Sequence, residues 1–353
     1  MYFKMRNLLK IQATLFLLFS AMCAYGQQSD TLNRVDKFGK KYGSWEKYDG
    51  KTLLWKGRFY NGEPVGEFIY YHKNKQIERR LFYHPNSPKV SCVSYYTNGR
   101  KSSEGVFINK ERDGKWLYYN TNGHLISEEN YVNGKKHGKF KIFTGKDEIL
   151  IKEETWNNNV LDGEYNTYYI TGVPRIKMFY VKGKMHGDFE NYYEDGKLWN
   201  RGQYKDDFRN GTWIAYNREG NEIKVQEIEM GRVRRVFLGF QTTAAQWLKI
   251  DVNRIAYIYQ SPSGLVLQLK DKKRIPLSDA NSLTTIASTA GMEYLVFINE
   301  NVLSNYDAIK KMIPTDKDEA KVILKPDPPF EVYTYDDYYQ MLKAMTNPDP
   351  PKE

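Results

Sequence analysis

Gly114-Lys115-Trp116-Leu117-Tyr118-Tyr119 returns later in the chain as Gly211-Thr212-Trp213-Ile214-Ala215-Tyr216. The shared frame is a glycine, an aromatic two residues on, and an aromatic five residues on. The same frame opens on Gly43, Gly66, Gly138, Gly163 and Gly187, with glycine spacings of 23, 48, 24, 25, 24 and 24 across the set. The spacing of 48 is a doubled 24, and a degenerate copy sits near Val90, with Tyr83 before it and Tyr95 after it. Eight copies of about 24 residues therefore run from Gly43 to about Glu229. Self-similarity at such a period is the mark of a repeat architecture.

The aromatic two after the glycine is Trp45, Phe68, Trp116, Phe140, Tyr165, Phe189 or Trp213. The one five after is Tyr48, Tyr71, Tyr119, Phe143, Tyr168, Tyr192 or Tyr216. A leading aromatic precedes six of the seven glycines: Tyr60, Phe107, Tyr131, Trp156, Tyr180 or Tyr204. Segments between turns are short and rich in Tyr, Trp, Phe, Val and Ile, which is strand chemistry. The joints Asn61-Gly62, Asn98-Gly99, Asn122-Gly123, Asn133-Gly134 and Asp195-Gly196 supply the positive φ of tight hairpin turns. The expected fold is an all-β array of stacked β-hairpins, because one hairpin cannot bury its aromatics alone. Offsets of two and five fall on opposite strand faces. Trp45, Phe68, Trp116, Phe140, Tyr165, Phe189 and Trp213 are the expected repeat core. Tyr48, Tyr71, Tyr119, Tyr168, Tyr192 and Tyr216 are the candidate exposed binding aromatics.

The Gly-x-Trp-x-x-Tyr cadence with Asn-Gly turns resembles the MORN-variant repeat of bacterial proteins, over about residues 43–230. The resemblance implies a β-hairpin array used for binding, with no catalytic residues to carry over. Many such chains are labelled as the antitoxin half of a toxin–antitoxin pair, so it also implies an antitoxin-like neutralising role as an alternative.

After Gly231 the pattern changes, and Arg232–Arg235 reads as a basic joint. The expected organisation is a signal peptide at 1–26, a linker at 27–42, repeats at 43–232, a smaller α+β domain at 233–346 and a disordered tail at 347–353. Arg254–Gln260 and Leu265–Lys270 alternate like strands. Ser278–Thr289 has helical character and stops at Gly291. Glu293–Asn299 reads as a buried strand. Val302, Tyr306, Ile309 and Ile313 fall on one helical face before Pro314. Lys321–Lys325 and Glu331–Thr334 read as short strands, and Thr334 with Asp337 as a capping-box start for a last helix. These residues carry no family resemblance.

The N-terminus reads as an address. Lys4, Arg6 and Lys10 precede a short apolar core to Cys23, and Ala24-Tyr25-Gly26 offers small residues for cleavage before Gln27. That apolar stretch is about half of the ~20 residues a spanning helix needs. Cys23 offers lipidation as a minor alternative. The chain is thus expected in the periplasm, at the outer membrane or secreted. Among 353 residues, two cysteines exclude a disulfide scaffold and a multi-cysteine zinc site. Charge divides the chain. Residues 27–240 hold 37 Lys and Arg against 28 Asp and Glu, net +9, and residues 241–353 hold 13 against 15, net −2.

No phosphate loop, serine elbow or His-Glu zinc helix appears. His137 and His186 share a repeat position but lie two repeats apart, too far to share a metal. Cys92 reads as a small core residue in the degenerate copy. The expectation is a non-enzymatic envelope protein with no catalytic residue, cofactor or metal. Its partner is expected to be another envelope protein. A glycan stacked on exposed Tyr and Trp is the alternative, with anionic lipid headgroups a further option for the basic surface. Nucleic acid is not expected for an exported chain.

Overall fold

The computed structural model describes residues 31–346. The expected signal segment with Cys23 and the tail at 347–353 lie outside the described residues. The chain is mostly β. Strands from Arg34 to Asp251 form a 21-stranded antiparallel sheet in hairpin order. A five-stranded and a three-stranded sheet follow. The chain forms two compact units, one running to Ile126 with Tyr131–Gly134, the other holding Ser127–Asn130 and everything from Lys135 on.

Each repeat is two strands and two turns, and the two turns differ. One is a two-residue turn with positive φ at both residues, as at Asn61 (51°) with Gly62 (86°) and Asn133 (47°) with Gly134 (72°). Asn158-Asn159 and Asp206-Asp207 adopt the same turn without glycine, because Asn and Asp tolerate the left-handed region. The other is a longer loop. At Tyr96–Arg100, Gly99 is left-handed and Asn98 is not, and the Asn98 side chain accepts from the Arg100 N–H. The repeat glycine itself lies inside a strand with positive φ in all seven copies, from 66° at Gly114 to 129° at Gly163. At Gly114 two residues of one strand bulge against the partner, since Glu104 faces Leu117 and Val106 faces Asp113.

Within the second unit the sheet does not end at residue 232. Arg232–Gln241 pairs with Glu222–Glu229 and then with Trp247–Asp251. The boundary expected at 232/233 therefore falls on the first residue of a paired strand. The reason is alternation: Val236, Leu238 and Phe240 all point into the C-terminal core. That core lies on one side of the five-stranded sheet with helix α1 (Leu283–Ala290), which Ser282 caps by accepting from the Thr285 N–H. A second core, with Tyr257, Ile298, Val322 and Leu342, joins the other side to the three-stranded sheet and helix α2 (Asp336–Thr346).

Two local expectations are corrected. The helical face at 302–313 is instead strand Val302–Asn305, a 3-10 turn Tyr306–Ala308 and strand Ile309–Asp316. Val302–Asn305 is a central strand buried on both faces, so every residue in it is buried and apolar spacing cannot separate it from a helix. Thr334 does not cap α2: it sits in strand Tyr333–Tyr335 with a buried hydroxyl that lacks a hydrogen-bond partner.

Candidate binding faces of the repeat array

One face of the array is an aromatic core. Trp116 and Trp213 are 3% and 6% exposed. Each indole lies flat on a glycine of the neighbouring strand, eleven residues earlier. A Cβ added at Gly105 would stand 2.6 Å from Trp116 Cγ, and one at Gly202 2.6 Å from Trp213 Cγ. Each indole N–H donates to the carbonyl one residue past that glycine: Val106 O and Gln203 O, both at 3.1 Å. Phe68 sits on Gly57 in the same way. Phe68 and Phe140 are buried, while Trp45, Tyr165 and Phe189 are only half-buried. The glycine position holds Glu154 opposite Tyr165 and Met178 opposite Phe189, and it holds Glu129 opposite the buried Phe140. At the start of the sheet, the Trp45 indole donates to Arg34 O at 3.1 Å. Phe59, not Tyr60, is the leading aromatic of its copy. Phe59 packs edge-on to Phe68 at 5.2 Å, and Tyr60 is exposed.

A cation two residues before the repeat glycine covers the ring in four copies. Lys41 lies 4.6 Å from Trp45, Arg112 5.2 Å from Trp116, Lys136 4.3 Å from Trp156 and Arg209 3.9 Å from Trp213. That column was present in the sequence but hidden, because surface lysines and arginines are common. Cys92 is buried opposite Gly105 and Leu81, and burial pushes its thiol up. Leu81 stands eleven residues before Cys92, where Gly57, Gly105 and Gly202 stand in their copies.

The opposite face carries the second aromatic set, as alternation requires. Its expected exposure is corrected: Tyr48 is exposed, but Tyr71, Tyr119, Tyr168, Tyr192 and Tyr216 are half-buried. Neighbouring strands supply ions that lie along the rings. Tyr119 donates to Glu104 at 2.6 Å, and Lys101 lies 2.9 Å from that carboxylate and 5.4 Å from the ring. Burial alone would raise the Glu104 carboxyl, but the bonds from Tyr119 and Lys101 outweigh it and hold it below its ordinary value. Tyr192 donates to Glu190 beneath Lys177, and burial with that bond pushes its phenol up to about 12. The buried Glu153 is held on the same face by Lys139 at 2.7 Å and Lys141 at 3.6 Å.

The residue after this tyrosine ties one repeat to the next. Tyr96 donates to Tyr119 O at 2.7 Å, Tyr169 to Tyr192 O at 2.8 Å and Tyr193 to Tyr216 O at 2.8 Å. The doubled tyrosines Tyr95-Tyr96, Tyr168-Tyr169 and Tyr192-Tyr193 were the readable signal for it.

Exposed apolar side chains also stand on the tyrosine face. In the first unit these include Tyr60 and Phe82, in the second Phe179, Val181 and Phe208. Each alternates with a core residue: Tyr60 with Phe59, Phe82 with Tyr83, Phe179 and Val181 with Tyr180, and Phe208 with Arg209. Among the described residues no three His, Cys, Asp or Glu side chains group to hold a metal. His186 Nδ1 lies 3.6 Å from Asp206 Oδ1, in a turn.

No curated protein matches this chain. Among solved structures, one chain in the crystal structure of TcdB2-TccC3-Cdc42 is 11% identical, covering 68% of this chain and 16% of its own length, with a TM-score of 0.12. So weak a likeness carries no argument. The family model for the MORN repeat variant matches residues 112–133 and 185–206. The first match opens two residues before Gly114, at the cation over Trp116, and the second two before Gly187. Repeats of this family typically serve binding and not catalysis. Two copies of the array thus match the MORN-repeat variant, which suggests a repeat-based binding or scaffold role.

Proposed function

We propose that the chain is an exported, non-enzymatic protein of the bacterial cell envelope whose repeat array is a surface for a protein partner. The observation that carries the reading is the tyrosine face. Phe179, Val181 and Phe208 stand exposed there among ions, the mixture of apolar anchors and polar rim that protein interfaces use. Export rests on the basic and apolar pattern of residues 1–26. No cofactor belongs to this reading. An antitoxin-like neutralising role would be one case of it, with a toxin as the partner. The glycan reading draws less support, because five of the six candidate tyrosines are half-buried and cations lie over the rings of Tyr119, Tyr192 and Tyr216.

Affinity capture from envelope extract tests the reading. The mature chain is compared with a Phe179→Ser, Phe208→Ser double variant of equal stability. A protein held by the first and lost by the second supports it. Equal capture by both, or retention of glycan alone, overturns it.

A further inference from the structure

The core face is broken in the copy that opens on Gly211. A cavity of about 330 Å³ lies there, lined by Asn191, Asn200, Arg209, Trp213, Ala215 and Lys224 among others. Comparison with the copy at Gly114 explains it. There Arg112 is wedged among the rings of Trp116, Tyr118 and Tyr131, and donates to the Tyr131 hydroxyl at 3.1 Å. In the Gly211 copy the places of Tyr118 and Tyr131 hold Ala215 and Ile228. The missing tyrosine ring is the cavity.

The floor is ordered by register. Asn191 faces Asn200, Asn200 faces Ala215, and Ala215 faces Lys224, so three polar side chains surround a methyl group. The corresponding places in the Gly114 copy hold Ser94, Ser103 and Ser127. The cavity copy has thus traded three hydroxyls for two amides and an amine as it lost its ring.

Its charge is unbalanced. No Asp or Glu lines the cavity. Arg209 stacks on Trp213, and its Nη2 donates to Gln226 Oε1 at 3.1 Å, but its Nε is buried without a hydrogen-bond partner. Lys224 donates to Ala290 O at 3.0 Å, at the C-terminal end of α1. Neither cation has a carboxylate within ion-pair distance among the described residues. Burial pushes both groups down, and the charge of Arg209 pushes Lys224 down further. Glu293 opposes the shift at Lys224 and Tyr204 that at Arg209, neither reversing it. Half-buried cations without a counter-ion are costly, and an oxyanion between them removes the cost.

We propose that this cavity is a binding site for a single oxyanion, a phosphate or carboxylate group, held by Arg209 Nε, Lys224 and the amides of Asn191 and Asn200. The site does not depend on a protein partner on the opposite face.

The full chain is titrated calorimetrically and melted with sodium phosphate, with sodium acetate, and with sodium chloride at matched ionic strength. Phosphate or acetate binds and raises Tm in a saturable way that chloride does not. Response to phosphate alone assigns a phosphate-type ligand, and response to acetate assigns a carboxylate. Ala215→Tyr restores the side chain found at Tyr118 and fills the cavity without removing a charge. It lowers affinity at least ~10-fold, as does Lys224→Met, each removing contacts to a charged group. Lys205→Met, an exposed cation on the opposite face, leaves affinity unchanged. Equal behaviour in all three salts overturns the proposal, and so does an unaltered response in either Ala215→Tyr or Lys224→Met.

Discussion

The indole of Trp116 rests on the bare α-carbon of Gly105, one strand over, where a Cβ would stand 2.6 Å from Cγ. The glycine is there for space. Trp116→Ala therefore loses about 3 kcal/mol or more, as large aromatic truncations in cores do. Gly105→Ala loses about 1–3 kcal/mol by overpacking. In the Trp116→Ala background the same Gly105→Ala change is close to neutral, because the clash has gone. Urea melts of the four proteins measure the coupling. Additive losses would show that the ring does not sit on the glycine.

Arg112 lies between three rings and hydrogen-bonds the Tyr131 hydroxyl. Arg112→Met keeps much of the apolar stem and loses the cation, at a cost of about 1 kcal/mol. Tyr131→Phe removes the acceptor and leaves the ring. The double variant should lose less than the sum. Melts in high salt separate this from a surface ion pair, because a half-buried cation–ring contact is screened little.

Much of this was legible because the repeat is written in glycines and aromatics. A glycine in a fixed frame marks each copy, and aromatics at offsets of two and five mark two faces. What stayed hidden has two causes. Lys41, Arg112, Lys136 and Arg209 share a column, but charged residues are so frequent that four matches do not stand out. The exposure of Tyr119 and Tyr192 depends on Glu104, Lys101, Glu190 and Lys177 in other strands or two residues away, and alternation reports the face without its cover. At the joint the signals are mixed: Arg232–Arg235 is basic like a linker, yet its backbone is strand, and only from Val236 does the pattern turn inward.

Tyr192 carries a pH signature. Its phenol is pushed up to about 12 by burial and by the hydrogen bond to Glu190. A raised acid keeps its proton more tightly when folded. The stability it contributes is complete below the unfolded value near 10 and fades as pH rises through about 12. Glu104 acts at the other end: its value is lowered, so its contribution holds above the ordinary carboxylate range and is lost as pH falls below it. Difference absorbance of tyrosinate, wild type minus Tyr192→Phe, should show a late component that Glu190→Gln moves to lower pH. An unmoved component would mean that the Glu190 bond does not form.

The last hairpin of the array belongs to the C-terminal core. Phe240 is 0% exposed, Val236 1% and Leu238 2%, and all three pack with Ile255, Leu267 and Leu303. Their strand is also hydrogen-bonded to Glu222–Glu229. A fragment cut at 237 starts inside that strand and loses both the pairing and Val236. A fragment cut at 242 loses Leu238 and Phe240 as well, which is about 2–5 kcal/mol for each large side chain. Domains of this size hold only ~5–15 kcal/mol in all. Residues 242–346 alone should therefore lack a cooperative melt, while residues 208–346, which keep the pairing of Glu222–Glu229 on both sides, should melt cooperatively by circular dichroism. In the whole chain Phe240→Ala should lower the C-terminal transition by about 3–5 kcal/mol. A well-folded 242–346 fragment would mean that the array contributes nothing to that core and that a boundary near 232 is sound.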